Sequence, residues 1–171
     1  MSEPEYCPFY CEENLWHLAG DPRVGEGTRH VLLISNAQRS VALWQQRAGV
    51  EDQGGLVVWD YHVVLVCDGS VWDLDTTLGY PTPLATYVPE TFRGAPSRFA
   101  PMFRIMEAEV YRQAFASDRR HMRAKDGTFL KPPPPWPPIG QGHTLDALLD
   151  FERSEPGAVV DLPGLVERSS S

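Results

Sequence analysis

The chain has 171 residues and a net charge of −8, from fifteen Lys and Arg against twenty-three Asp and Glu. That length suits one domain able to bury roughly two-thirds of the surface its unfolded form exposes, so the three cysteines are not required as staples. The acidic balance argues against a nucleic-acid partner, whose phosphates it would repel. The same balance tolerates a cationic ligand, such as a peptide's free amino terminus.

The start "MSEPEYCPFYCEEN" carries neither the basic nor the apolar region of a secretory signal, and no apolar run reaches bilayer-spanning length. The expectation is a soluble intracellular monomer with no membrane partner, whose Cys7, Cys11 and Cys67 are free thiols. Apolar residues at 11, 15, 16, 18 and 19 mark one face of a helix over 11–19, ended by Asp21-Pro22. "HVLLIS" (30–35) and "SVALWQQ" (40–46) predict strands joined as a hairpin through the link "NAQR". Residues 54–77 predict a second hairpin, its β-rich runs flanking Asp68-Gly69, a dipeptide suited to a two-residue turn.

The proline-studded stretch 80–101 predicts an irregular loop. Residues 102–116 predict a helix, with apolar positions at 103, 106, 110, 114 and 115. "PPPPWPP" (132–138) predicts an extended strap anchored by Trp136, and a "TLDALLDFE" helix and a "GAVVDL" strand close the molecule. The pattern is α+β: a mainly antiparallel sheet with helices before and after it. With no internal repeat visible, residues 1–171 read as a single domain with 1–6 and 164–171 as flexible tails.

The second hairpin permits chemistry. With Asp68-Gly69 as the turn, Cys67 faces Ser70, and the pairs continue as Val64 with Asp73 and His62 with Asp75. His62, Asp73 and Asp75 then share a face, direct partners about 4.5–5.5 Å apart at Cβ and diagonal ones about 7–8 Å. Either acid can orient the imidazole; the ideal register favours Asp75, and a bulge favours Asp73. A carboxylate-held histidine keeps one tautomer and gains basicity, as a cysteine nucleophile requires. Cys11 is the candidate: at a helix start, the macrodipole and free backbone N–H groups favour its thiolate. Glu12 and Glu13 read as first-turn residues that can turn to solvent.

Plainer readings stand beside these. Cys11 also fits a small core residue, and His62 a satisfied sheet histidine. Asp75 and Asp118 fit turn caps, and Ser117 and His121 fit a tie between helix and loop. Trp59, Trp72 and Cys67 read as core on the face opposite the polar one. No metal site is expected: Cys7 with Cys11, His17 or Cys67 lacks the paired Cys-x-x-Cys elements of a zinc module.

The strings "YCEENLW", "ISN", "WDYHVVL", "DLDT", "YV", "FASDRRHM" and "PPPPWP", in this order, resemble the protein N-terminal glutamine amidohydrolase family, over about Tyr10 to Val159. The resemblance implies a papain-like cysteine hydrolase fold and removal of the side-chain amide of an amino-terminal Gln on proteins and peptides, giving Glu and ammonia without a cofactor. It implies Cys11 as nucleophile, His62 as base and Asp73 as orienting acid, in the cytoplasm (and the nucleus of a eukaryote), feeding an N-degron pathway. Selectivity for a terminal Gln demands an acceptor for the α-ammonium, and Glu13, Asp75 and Asp118, with Ser117 in the same stretch, are the candidates. Phe9 departs from the family pattern, standing where some members have a cysteine. Two other classes remain open: a catalytically silent peptide-binding protein using the proline strap, and a papain-like peptidase or transglutaminase sharing the nucleophile.

Overall fold

The computed structural model describes residues 3–169. Its elements are α1 (Cys11–Ala19), β1 (Arg29–Ser35), β2 (Val41–Leu43), β3 (Val57–Trp59), β4 (His62–Cys67), β5 (Ser70–Trp72), β6 (Thr82–Pro83), α2 (Leu84–Thr91), β7 (Met102–Glu107), α3 (Ala108–Ala114), α4 (Leu145–Leu148), β8 (Ala158–Asp161) and α5 (Leu162–Ser169). Six strands form one antiparallel sheet in the order β6-β5-β4-β1-β7-β8, and β2 and β3 form a separate pair. The α+β expectation holds.

The central strands are apolar on both faces because both faces are covered. Val31, Leu33, Val63, Leu65 and Met106 pack under α1, α3 and α4 through Leu15, Leu18, Tyr111, Leu145 and Leu148. Leu32, Ile34, Val64, Val71 and Phe103 pack on the other side against Leu84, Tyr87, Phe92, Val41, Leu43 and Leu165. The Asp68-Gly69 turn forms as predicted, with φ 48° and 73°, the positive values that a type I′ hairpin demands at both central positions. Register follows: Cys67 faces Ser70, Val66 faces Val71 and Leu65 faces Trp72, where β5 ends.

Other expectations are corrected. The predicted hairpin between residues 30–35 and 40–46 does not form, because both edges of β1 are taken by β4 and β7. Asn36 redirects the chain: its Oδ1 accepts the N–H groups of Gln38 and Ser40, and its Nδ2 donates to the carbonyls of Ser40, Arg98 and Ala100. After β2 the chain bonds to residues 75–77 instead, through Arg47 N to Asp75 O at 2.8 Å and Thr77 N to Gln45 O at 2.7 Å. The stretch read as a loop contains β6 and α2, with Pro89 inside the helix.

The helix predicted over 102–116 is β7 followed by the shorter α3. Alternation in β7 sends Phe103 and Ile105 to one core and Met106 to the other, so apolar residues with helical spacing bury on opposite faces. Arg104 is fully buried and donates to the carbonyls of Leu148, Asp150, Arg153 and Pro156. That side chain fastens β7 to the segment between α4 and β8. The supposed tails are also engaged: α5 seats Leu165 in the second core, Glu5 reaches His17 at 2.9 Å, and Tyr6 bonds Asp75. Residues 1–2 and 170–171 lie outside the described residues.

Replacing Arg104 by Met leaves those carbonyls unpaired in the interior. We expect Arg104→Met to lower the unfolding free energy by roughly 3 kcal/mol or more, the scale of lost charge-assisted bonds plus unsatisfied acceptors. Urea denaturation measures it, and a loss below about 1 kcal/mol would contradict this role.

Candidate active site

His62 opens β4 and Asp73 follows the last residue of β5, so the hairpin brings together residues separated by its whole length. His62 Nε2 lies 2.9 Å from Asp73 Oδ1, both side chains being almost or fully buried. Asp73 is the direct partner because pairing stops at Trp72 and the chain turns inward. The backbone N–H of Asp75 donates to the same Oδ1 at 2.9 Å, while Oδ2 accepts Gln46 Nε2 at 3.1 Å and the Tyr87 hydroxyl at 2.8 Å. Burial alone would push the Asp73 carboxyl up, but His62 and these donors outweigh it and hold it below its ordinary value. Burial likewise opposes charge on His62, and the charge and hydrogen bond of Asp73 overcome it, raising the imidazole. With Nε2 bound to the carboxylate, Nδ1 is the nitrogen left for the cleft.

Cys11 begins α1, where Glu13 N and Asn14 N make the first bonds, both to Tyr10 O, so the N–H groups of Cys11 and Glu12 precede the helical ladder. Burial and the Glu12 carboxylate push the Cys11 thiol well up, partly offset by a backbone hydrogen bond from Val63. Cys11 and His62 line one cleft of about 230 Å³ with Trp59, Tyr61, Asp75, His121 and the exposed rim residues Phe9 and Leu130. A larger groove of about 470 Å³, between Trp44, Phe92, Met102 and Leu162, holds neither cysteine nor histidine. Concavity alone therefore points away from the reactive groups, and chemistry decides between the two sites.

Of the four proposed substrate contacts, only Asp75 reaches this cleft. Its Oδ1 accepts the Tyr6 hydroxyl at 2.6 Å, and burial pushes its carboxyl up, opposed by His62. Glu13 does not turn to solvent. It is fully buried and held by Arg119, Nε to Oε1 at 2.9 Å and a terminal nitrogen to Oε2 at 2.8 Å, with Trp136 Nε1 also on Oε2 at 2.8 Å. The proline strap is thus anchored through Trp136, as the sequence predicts, but onto a carboxylate. Ser117 is buried and its hydroxyl accepts Arg119 N at 3.1 Å, and Asp118 sits outside the cleft, folded onto Arg120. Asp118 follows its plainer reading as a turn residue, and Ser117 its reading as a hydrogen-bonding tie.

Several residues that shape the site escaped the sequence. Trp59 packs half-buried against the second core, as expected, but on the polar face rather than opposite it: its ring stacks on His62 with centroids 5.9 Å apart and 11° between planes, and its Nε1 donates to Gln46 Oε1. Alternation misled here because β3 and β4 belong to different sheets. Glu12, expected to face water, is fully buried between the Tyr61 hydroxyl and His121. Gln46 carries no local signal, since its partner Asp73 lies 27 positions away.

His62, Asp73 and Asp75 offer ligand atoms within 4.8 Å of one another, the closest grouping to a metal site among the described residues. The Asp73 oxygens are already committed to His62, Asp75 N, Gln46 and Tyr87, a donor set that suits an orienting carboxylate rather than a ligand.

Comparison with known proteins agrees with this chemistry. The N-terminal glutamine amidase family profile matches residues 6–169. The chain is 40% identical to the protein N-terminal glutamine amidohydrolase of Drosophila pseudoobscura pseudoobscura over 97% of its length and 88% of that protein's. Its identity to the protein of the same name from Drosophila melanogaster is 39%, covering 98% of this chain and 89% of the relative. A match of this extent, with the buried His-Asp pair and a cysteine at a helix start, places the chain in the N-terminal glutamine amidase family.

Proposed function

We propose that the chain hydrolyses the side-chain amide of an amino-terminal glutamine on proteins and peptides, leaving glutamate and ammonia, with Cys11, His62 and Asp73 as its triad. The observation that carries this reading is His62, held from behind by buried Asp73, lining one cleft with the helix-opening Cys11. The raised thiol means that the resting sulfur keeps its proton, so deprotonation accompanies attack. His62 Nδ1 takes that proton as sulfur bonds to the amide carbon. The first-turn N–H groups of Cys11 and Glu12 face the developing oxyanion, and the imidazolium, steadied by Asp73, then protonates the departing ammonia. Water activated by the same imidazole hydrolyses the thioester and restores the thiol.

Asp75 is the acceptor for the substrate's ammonium in this reading. It is a half-buried carboxylate engaged on Oδ1 by Tyr6, with the charges of His62 and Arg47 acting on it but no ion pair formed with either, and an ammonium supplies a direct charge partner. The net charge of −8 supports a protein working apart from nucleic acid, and no described helix is long and apolar enough to cross a membrane. We take it to act as a cytoplasmic monomer.

Incubation with Gln-, Asn- and acetyl-Gln-started peptides tests the activity. Ammonia release with a one-dalton mass gain is expected on free N-terminal Gln only; folded protein silent on every peptide would sink the proposal, chain cleavage would indicate a peptidase, and amine incorporation a transglutaminase. Cys11→Ala and His62→Ala should each lower kcat by about a thousandfold or more with the thermal transition retained, and Asp73→Asn should cost a comparable factor in kcat by fixing the wrong tautomer.

Asp75 and Glu13 separate by their signatures. Asp75→Asn should raise KM roughly tenfold to a hundredfold, the scale of one charge-assisted contact. Glu13→Ala strands Arg119 and should instead remove roughly 3–5 kcal/mol of stability in urea titration. The reverse pattern would return the ammonium to Glu13.

A further inference from the structure

Thiol chemistry alone does not call for the charge on Glu12. Its carboxylate is fully buried beside the nucleophile, Oε2 lying 3.7 Å from Cys11 Sγ and accepting the Tyr61 hydroxyl at 2.9 Å. A bare carboxylate there would hold the proton on sulfur. The other oxygen, Oε1, lies 3.1 Å from His121 Nε2, on the short turn Arg120–Met122. Burial disfavours charge on His121, but the hydrogen bond and charge of Glu12 win and raise it.

The surroundings leave His121 as the counter-charge. Facing Cys11 and Glu12 are Tyr61 and His62 from β4 and its approach, Asp75 beyond β5, Asp60 farther out, and Tyr111 from α3, whose hydroxyl donates to the Glu12 carbonyl at 2.9 Å. Facing His121 are Glu12, the Tyr61 hydroxyl at 3.2 Å and His143, whose ring centroid is 5.2 Å away. Burial and the charge on His121 push His143 down, so it is the neutral member of the pair. Asp118 and Asp146 stand 3.8 and 3.6 Å from the His143 nitrogens, beyond hydrogen-bond reach. Arg119 is spent on Glu13, and His62, which feels the Glu12 charge, is hydrogen-bonded to Asp73, so His121 is the one cation in direct contact with Glu12 among the described residues.

We propose that His121 is a positioning residue for the nucleophile: it supplies the positive charge that neutralises Glu12 beside the Cys11 sulfur. This rests on Cys11 being the reactive thiol, and it deepens the proposed function by explaining how an acid is tolerated next to it. Removing His121 leaves Glu12 negative and makes the thiol harder to ionise. Removing Glu12 takes away the charge that opposes ionisation.

The test follows iodoacetamide alkylation of Cys11 against pH by mass spectrometry, beside kcat/KM for a Gln-started peptide, in the wild type, His121→Gln, Glu12→Gln and the double variant. His121→Gln should shift both profiles to higher pH and slow alkylation at neutral pH on the order of tenfold, the effect of one pKa unit. Glu12→Gln should shift the profiles the other way, and in the double variant it should rescue the rate lost in His121→Gln. An unshifted His121→Gln profile, or a double variant no faster than the single one, overturns the proposal. Should His121→Gln fail to fold by circular dichroism, the Glu12→Gln profile decides alone, and a profile unmoved from wild type refutes it. Alkylation shifts without ammonia release from any Gln peptide would refute the amidase reading and leave the role of His121 standing.

Discussion

Burying a carboxylate costs several kcal/mol unless a cation and hydrogen-bond donors replace its water, and α1 opens with two of them, Glu12 and Glu13. Neither finds its partners nearby in the chain. Glu13 takes Arg119 and Trp136, and Glu12 takes Tyr61 and His121. Much of the long-range order of the molecule answers this demand: the turn at 119–122 must lie against the start of α1, and the proline strap must cross it to deliver Trp136. The strap is fixed further by the Tyr10 hydroxyl on the Lys131 carbonyl. Holding the first turn of α1 in this way holds Cys11 too.

The reactive histidine is built from the other direction. A tight turn sets the register of β4 and β5, and the early end of β5 lets Asp73 turn under His62. Gln46 arrives because the chain beyond β2 bonds to residues 75–77, and Tyr87 arrives on α2. The nucleophile and its base therefore rest on two polar networks, joined where α1 packs on β4 and where the Tyr61 hydroxyl donates to Glu12. Each reactive side chain has little freedom before a substrate enters.

What was legible in the sequence was local. The helix from Cys11, the turn at Asp68-Gly69, the register up to Leu65 and Trp72, and the extended strap all follow from periodicity or turn chemistry. Where a position is decided by a distant partner, the sequence misled. Residues 102–107 carry helical spacing yet complete a sheet whose central strand needs a second neighbour, and Arg104 looks like a surface charge until the carbonyls of 148–156 surround it. The site shows the same division. Hairpin geometry brought His62 to two acids, and the family resemblance chose Asp73 between them. The fate of Glu12 and Glu13 depended on Arg119 and His121, more than a hundred positions downstream.

That separation bears on synthesis. A chain emerging from the ribosome presents Cys11 early, then the His62–Asp73 hairpin, and only much later Arg119, His121 and Trp136. Until those residues arrive, Glu12 and Glu13 lack their charge partners, and of the groups that hold them only the Tyr61 hydroxyl on Glu12 comes with the hairpin. Assembly of the nucleophile's surroundings becomes a late event, tied to completion of nearly the whole chain.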